Sequence, residues 1–248
     1  MTIRAYAPAS IGNFAAGFDL LGAAVAPLDG ALWGDVVSAE PASAASAASL
    51  TLSGRYAGDM PADPWQNLVL RTYGLFRDAL AARAQSAGAA GAAGAGACPV
   101  PAFHLEKNLP RSSGLGSSSS SVAATLTACQ RLVAEAGGEP LAPSELFALA
   151  GRAEGLVSGT PHLDNVVPAL LGGLQLLVPG RADGDGTPEA RALPWSDDLV
   201  LVLALPRFEL PTVESRAALP PCFKLGETLA FAQNLAGFVH ALESGDRG

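Results

Sequence analysis

The sequence predicts an α+β fold, and three observations lead there. Strand-like runs come first and helical runs are mixed with strands afterwards, with no regular βαβ alternation. The chain has 248 residues, of which 49% are hydrophobic, enough for a real core. One stretch, residues 110–121 (Pro-Arg-Ser-Ser-Gly-Leu-Gly-Ser-Ser-Ser-Ser-Ser), joins a strand signal to a helix signal through a glycine and serine loop.

In chain order, residues 3–7 alternate and predict a first strand. Residues 8–19 are a loop of small residues carrying Ser10, Asn13 and Asp19. Residues 20–26 read as a buried strand, and 31–40, with Trp33, Val36 and Val37, as another. A low-complexity Ala/Ser turn over 41–48 leads to a short strand over 49–53. Leu68, Leu70, Leu75, Phe76 and Leu80 recur at helical spacing within 67–82. Residues 85–97 form an Ala/Gly-rich excursion, expected to be flexible. A strand over 100–107 then enters the Gly/Ser loop, and a helix over 122–133 leaves it.

A second helix is expected over 143–155 and a polar loop over 158–165, where Pro161 disfavours helix at Thr160. A short helix follows over 166–171. Strands are expected over 173–178 and 199–205, a short helix over 212–219 and a longer amphipathic one over 227–242. No internal repeat is evident.

Composition narrows the function class. The net charge is −8 with no basic stripe, which argues against a nucleic-acid partner. Mean hydropathy is +0.29, but much of the apolar share is alanine. The longest greasy run, 166–178, is broken by Pro168, Gly172, Gly173 and Gln175 and falls short of the roughly 20 residues a membrane span needs. The first residues lack the apolar segment of a signal peptide. Cys98, Cys129 and Cys222 make neither a zinc pattern nor a disulfide framework and fit a reducing cytoplasm.

The Gly/Ser loop carries the strongest chemical signal. Gly114 and Gly116 let backbone N–H groups approach a ligand with no Cβ in the way. Serines at a helix start add hydroxyls to free N–H groups and to the positive end of the helix dipole. That combination suits a polyphosphate. No Gly-Lys-Ser/Thr is present, so the loop is not of the Walker type, and no third glycine completes a dinucleotide fingerprint. A solvated linker has similar composition, but it would not need apolar strand and helix signals on both sides.

Four further groups stand out. Glu154, read on the polar side of its helix, could hold Mg²⁺ with a serine hydroxyl and phosphate oxygens; a solvated helix carboxylate is the commoner case. His162, Asp164 and Asn165 are expected on a turn, where Asp164 could accept a hydroxyl proton, orient a hydroxyl or pair with an ammonium; a cap for the next helix is compatible with each role. Ser10, Asn13 and Asp19 form the third group. Thr212 and Arg216 form the fourth, one helical turn apart, and arginine offers a fork for a carboxylate or phosphate.

Together these segments resemble the homoserine kinases of the GHMP small-molecule kinase superfamily. The resemblance rests on residues 7–22 (Ala-Pro-Ala-Ser-Ile-Gly-Asn-Phe-Ala-Ala-Gly-Phe-Asp-Leu-Leu-Gly), 109–118, 154–173 and 211–220, in the family's order. It implies a two-domain fold: an ATP-binding N-terminal domain over 1–170, like ribosomal S5 domain 2, and the start of a ferredoxin-like C-terminal domain over 171–248. The family's Gly-Ser-Gly-Pro-Thr-like motif has no counterpart here, so that second domain is expected to be incomplete.

The resemblance also implies roles. Pro110, Arg111, Ser112, Ser113, Gly114, Leu115, Gly116, Ser117, Ser118, Ser119 and Ser120 would bind ATP, with Asn67 at the nucleoside. Ser118 and Glu154 would hold Mg²⁺. Asn13, Asp19, His162, Asp164, Thr212 and Arg216 would surround L-homoserine, with Asp164 and Asn165 at the reacting hydroxyl. The implied activity is phosphorylation of that hydroxyl in threonine biosynthesis, by a cytoplasmic protein, and the family suggests a homodimer. Another GHMP kinase, or a nucleotide- and amino-acid-binding paralogue without turnover, is the alternative.

Overall fold

Alternation of small apolar side chains with more exposed ones sets β1 (Ile3–Ile11), whose Ile3, Ala5, Ala7 and Ala9 are buried. A computed structural model describes residues 1–42, 47–86, 98–159, 162–180, 186–205 and 212–246. The expected turn residues Thr160 and Pro161, and most of the Ala/Gly-rich excursion, lie outside them.

Seven strands form one sheet in the order β4-β5-β3-β1-β2-β6-β7. They are β1, β2 (Leu21–Val25), β3 (Gly34–Pro41), β4 (Ser49–Ser53), β5 (Pro101–Glu106), β6 (Leu174–Val178) and β7 (Glu189–Leu193). All pairs are antiparallel except β4 with β5. A parallel pair needs a crossover, and α1 (Leu68–Ser86) supplies it. Strands β6 and β7, which follow residue 170, extend the sheet from β2.

Helices α1, α2 (Ser117–Glu135), α3 (Pro143–Ser158) and α4 (Leu163–Leu171) share the main core with the sheet. Val37, Phe103 and Leu105 from the strands meet Phe76, Leu126, Leu132 and Val166 from the helices, all at most 2% exposed. A smaller cluster around Phe14, Leu21, Leu174 and Leu193 packs against Leu235 and Phe238 of α6 (Leu225–Ser244). Short α5 (Thr212–Ala217) precedes α6.

Four expectations change. β1 continues through Ile11, past the predicted loop start, because residues 9–11 pair with β2. α2 starts at Ser117, so serines 117–121 belong to the helix. α4 starts at Leu163, placing Asp164 and Asn165 in a first helical turn and not on a loop. Residues 199–205 are not a strand: no ladder partner takes their backbone among the described residues, and Val202 is 91% exposed. The sequence reading also missed β7.

Candidate active site

The Gly/Ser loop sits where β5 hands the chain to α2. Gly114 and Gly116 take positive φ, 75° and 60°, and Ser112 joins them at 51°. Gly116 is the N-cap of α2, and no side chain caps that end. The first-turn N–H groups of a 19-residue helix therefore face the loop with the positive end of its dipole. At Gly116 a Cβ would come within 2.0 Å of Ser10 Oγ, so this position demands glycine on steric as well as backbone grounds.

Not every residue of the loop faces outward. Leu115 is buried against Ala9, Val25 and Leu109. Ser117 Oγ donates to Leu109 O at 3.0 Å, and Ser120 Oγ donates to Ala7 O at 2.7 Å while accepting from Asp35 N. These two hydroxyls hold the fold and are not presented to a phosphate. Pro110, Ser112, Ser113, Gly114 and Ser118 remain at least partly accessible. Arg111 is exposed and donates to Asp59 O at 3.0 Å. Ser119 is buried.

Ser118 Oγ donates to Glu154 Oε2 at 3.1 Å, which joins α2 to α3. Glu154 is only 4% exposed, so the expectation of a solvated polar face fails. Burial pushes its carboxyl up to about 7, and Asp164 adds to the rise; the nearby Ser119 hydroxyl, the Ser118 hydrogen bond and the charge of Lys107 oppose it. A hydroxyl and a carboxylate side by side are hard oxygen donors, which suits Mg²⁺, an ion that takes few protein ligands and completes its shell with water and phosphate. The donor set fits that ion.

Asn67 lies just before α1, 2% exposed. Its Oδ1 accepts from Val69 N at 3.0 Å, while Nδ2 has no hydrogen-bond partner in the described structure. A buried donor in that state is costly unless a ligand meets it.

The second half of the site is built where the loop after β1 presses on α4. Asn13, Ala15 and Asp19 all have left-handed backbones, φ 52°, 50° and 57°. Such conformations cost about 1–3 kcal/mol each in non-glycine residues and persist only when surroundings hold them. Here Asp19 N donates to Asn13 Oδ1 at 2.9 Å, and Asn13 N donates to Asp164 Oδ2 at 2.8 Å. The packing is close: a Cβ on Gly12 would lie 2.3 Å from both Asp164 Oδ2 and Asn165 Nδ2.

Arg216 of α5 reaches this loop. Its guanidinium pairs with Asp19 Oδ1, lies 3.0 Å from His162 Nδ1 and sits 5.5 Å over the Phe18 ring. Burial lowers the His162 pKa and the Arg216 charge lowers it further, against Asp164 and Asp19, so the ring favours its neutral form. Burial raises the Asp164 pKa, opposed by the Asn13 N–H. Asp19, His162 and Asp164 line a cleft of about 400 Å³ with Leu20, Leu177 and Pro188. Thr212 opens α5 one turn before Arg216, but its side chain lies outside the described structure.

One hydrogen bond ties the halves together: Ser10 Oγ donates to Asn165 Oδ1 at 3.2 Å, while Ser10 N donates to Leu115 O. The structure thus links Asn13, Asp19, His162, Asp164, Asn165 and Arg216 through short contacts beside the loop, and Asp19, His162 and Asp164 line the cleft there. Sequence reasoning passed over Asp35 and Lys107, a buried pair at the loop's foot. The signal was present, since Lys107 is one of only two lysines in the chain and ends an apolar strand.

Residues 67–173 match the model of the GHMP kinases N terminal domain. The fold resembles the crystal structure of homoserine kinase from Cytophaga hutchinsonii, at 26% identity and TM-score 0.72, over 99% of this chain and 68% of that one. A putative homoserine kinase from Listeria monocytogenes matches at 21% identity and TM-score 0.58, over 99% and 70%. The Streptococcus pneumoniae phosphomevalonate kinase matches at 14% identity and TM-score 0.60, over 99% and 74%.

Proposed function

We propose a homoserine kinase, from a chain whose residues 67–173 match the GHMP kinases N terminal domain and whose fold resembles that of GHMP kinases: ATP-dependent phosphorylation of the side-chain hydroxyl of L-homoserine to O-phospho-L-homoserine. The observation that carries this reading is the Ser10–Asn165 hydrogen bond beneath Gly116, which ties the residues around Asp164 to the Gly/Ser loop. Similarity to the homoserine kinase from Cytophaga hutchinsonii supports the acceptor.

In this reading the accessible loop N–H groups and the start of α2 cradle the ATP phosphates, and the Asn67 amide meets the nucleoside. Glu154 and Ser118 would hold Mg²⁺, which neutralises charge on the β- and γ-phosphates when bound. Residues 1–170 carry the nucleotide, and residues 171–248 bring Arg216 over the acceptor. The acceptor is a zwitterion, which matches the opposite charges of Asp19 and Arg216. Arg216 forks its carboxylate and Asp19 takes its ammonium, exchanging their mutual ion pair for two with the substrate.

The acceptor oxygen attacks the γ-phosphorus, the bond to the β,γ-bridging oxygen breaks, ADP leaves, and the hydroxyl proton passes to the transferred phosphoryl group or to solvent. Charge in this transition state spreads over the equatorial oxygens, so positioning and electrostatics dominate. Asp164 and Asn165 orient the hydroxyl. Calorimetry with an ATP analogue tests the acceptor assignment. L-homoserine is expected to bind, and analogues lacking the amino or the carboxylate group to bind at least tenfold more weakly. Equal binding of a neutral alcohol contradicts it.

A further inference from the structure

The phosphate loop has no lysine of its own, yet one lies directly beneath it. Lys107, 2% exposed, donates from Nζ to Asp35 Oδ2 at 2.5 Å, to Ser117 O at 2.7 Å and to Ser121 Oγ at 3.0 Å. Asp35, fully buried on β3, accepts from Asn108 N at 2.8 Å and Leu109 N at 3.2 Å with Oδ1, and from Ser121 Oγ at 2.7 Å with Oδ2. Asn108 and Leu109 are the entry to the loop, and Ser117 and Ser121 are its exit.

Burying two charges is expensive, and apolar replacements of such pairs are often neutral or stabilising. Stability alone therefore does not explain the pair. Among the described residues, the side-chain hydrogen bonds of the pair beyond their own contact go to both stems of one loop, residues 108–109 and 117–121. Burial lowers the Lys107 pKa, while Asp35 and Glu154 hold the ammonium form.

We propose that Lys107 and Asp35 are positioning residues of the ATP loop, a buried clamp that fixes the spacing of its two stems so that its N–H groups converge on the triphosphate. The clamp acts through the loop backbone and does not touch the nucleotide. The proposal rests on the reading of residues 110–118 as an ATP loop.

The test is the charge-free double variant Asp35→Asn/Lys107→Met, which keeps an oxygen for Asn108 N and Leu109 N. Steady-state kinetics and amide exchange of loop residues 112–118 are both read. The clamp predicts a KM for ATP raised at least tenfold, a KM for the acceptor alcohol changed less than twofold, and loop exchange at least tenfold faster with that of residues 125–133 unchanged. An ATP KM within twofold of the parent, with loop exchange unchanged, overturns it. So does a fall in kcat with both KM values unchanged.

If the double variant does not fold, Asp35→Asn alone decides: a threefold or larger rise in ATP KM supports the clamp and an unchanged value overturns it. A parent chain that binds no ATP refutes the kinase reading. Loop exchange then still decides whether the pair holds the stems.

Discussion

The Ser118 hydroxyl donates to Glu154 Oε2 at 3.1 Å, and this contact places a buried carboxylate against the first turn of α2. The acid is held out of water, so its ionisation is coupled to folding.

Stability of the metal-free protein should therefore fall with rising pH through this group. The folded pKa, about 7, lies above the ordinary 4.5, so the folded state holds the proton more tightly. The contribution is full below about 4.5, is lost between there and about 7, and is flat beyond. It is on the order of 3 kcal/mol at most. Thermal melts of Glu154→Gln and parent at pH 5 and pH 8 should show the variant losing less stability between them. Parallel curves would contradict the raised pKa.

Arg216→Ala should raise the KM for homoserine at least thirtyfold and leave the KM for ATP within twofold. The Arg216–Asp19 pair is about one-third exposed, so its loss should hardly move the melting temperature. Arg216→Lys should rescue little, because an ammonium cannot fork a carboxylate. A matching rise in both KM values would place Arg216 elsewhere.

Gly12→Ala tests the join between the N-terminal loop and α4. The new methyl would meet Asp164 Oδ2 and Asn165 Nδ2 at 2.3 Å. Overpacking of this kind costs about 1–3 kcal/mol. Acceptor kcat/KM should fall about a hundredfold, because misplacement of reacting groups is costly. Nucleotide affinity, measured by calorimetry, should stay within twofold.

Asp164→Asn separates orientation from proton abstraction. Orientation predicts a homoserine KM raised about tenfold with kcat reduced less than tenfold. A kcat lower by about 10²–10⁴, with loss of the acid limb of the pH profile, would assign Asp164 as a general base.

The local signals that sequence could carry were the ones it carried best. Glycines and serines between a strand and a helix announced the tight loop that joins β5 to α2, because the requirement is local backbone freedom. The edge of α2 was placed late because serines are weak helix formers, and only the structure shows Ser117 bonding to Leu109 at the loop's entry and Ser120 bonding to Ala7 of β1. Glu154 was misplaced on a solvated face, since its burial depends on how α3 meets α2. Asp35 and Lys107 are 72 residues apart, and nothing in the spacing reveals that they meet. Residues 199–205 have strand composition, but ladder hydrogen bonds depend on a neighbour that composition does not report.

The central claim is transfer of the γ-phosphate to homoserine, and phosphorus NMR of the full chain with ATP, Mg²⁺ and L-homoserine tests it most directly. The account predicts a phosphomonoester signal of O-phosphohomoserine growing in step with ADP, and lost in Glu154→Gln. ADP formation that ignores homoserine but responds to mevalonate or a sugar alcohol would contradict it.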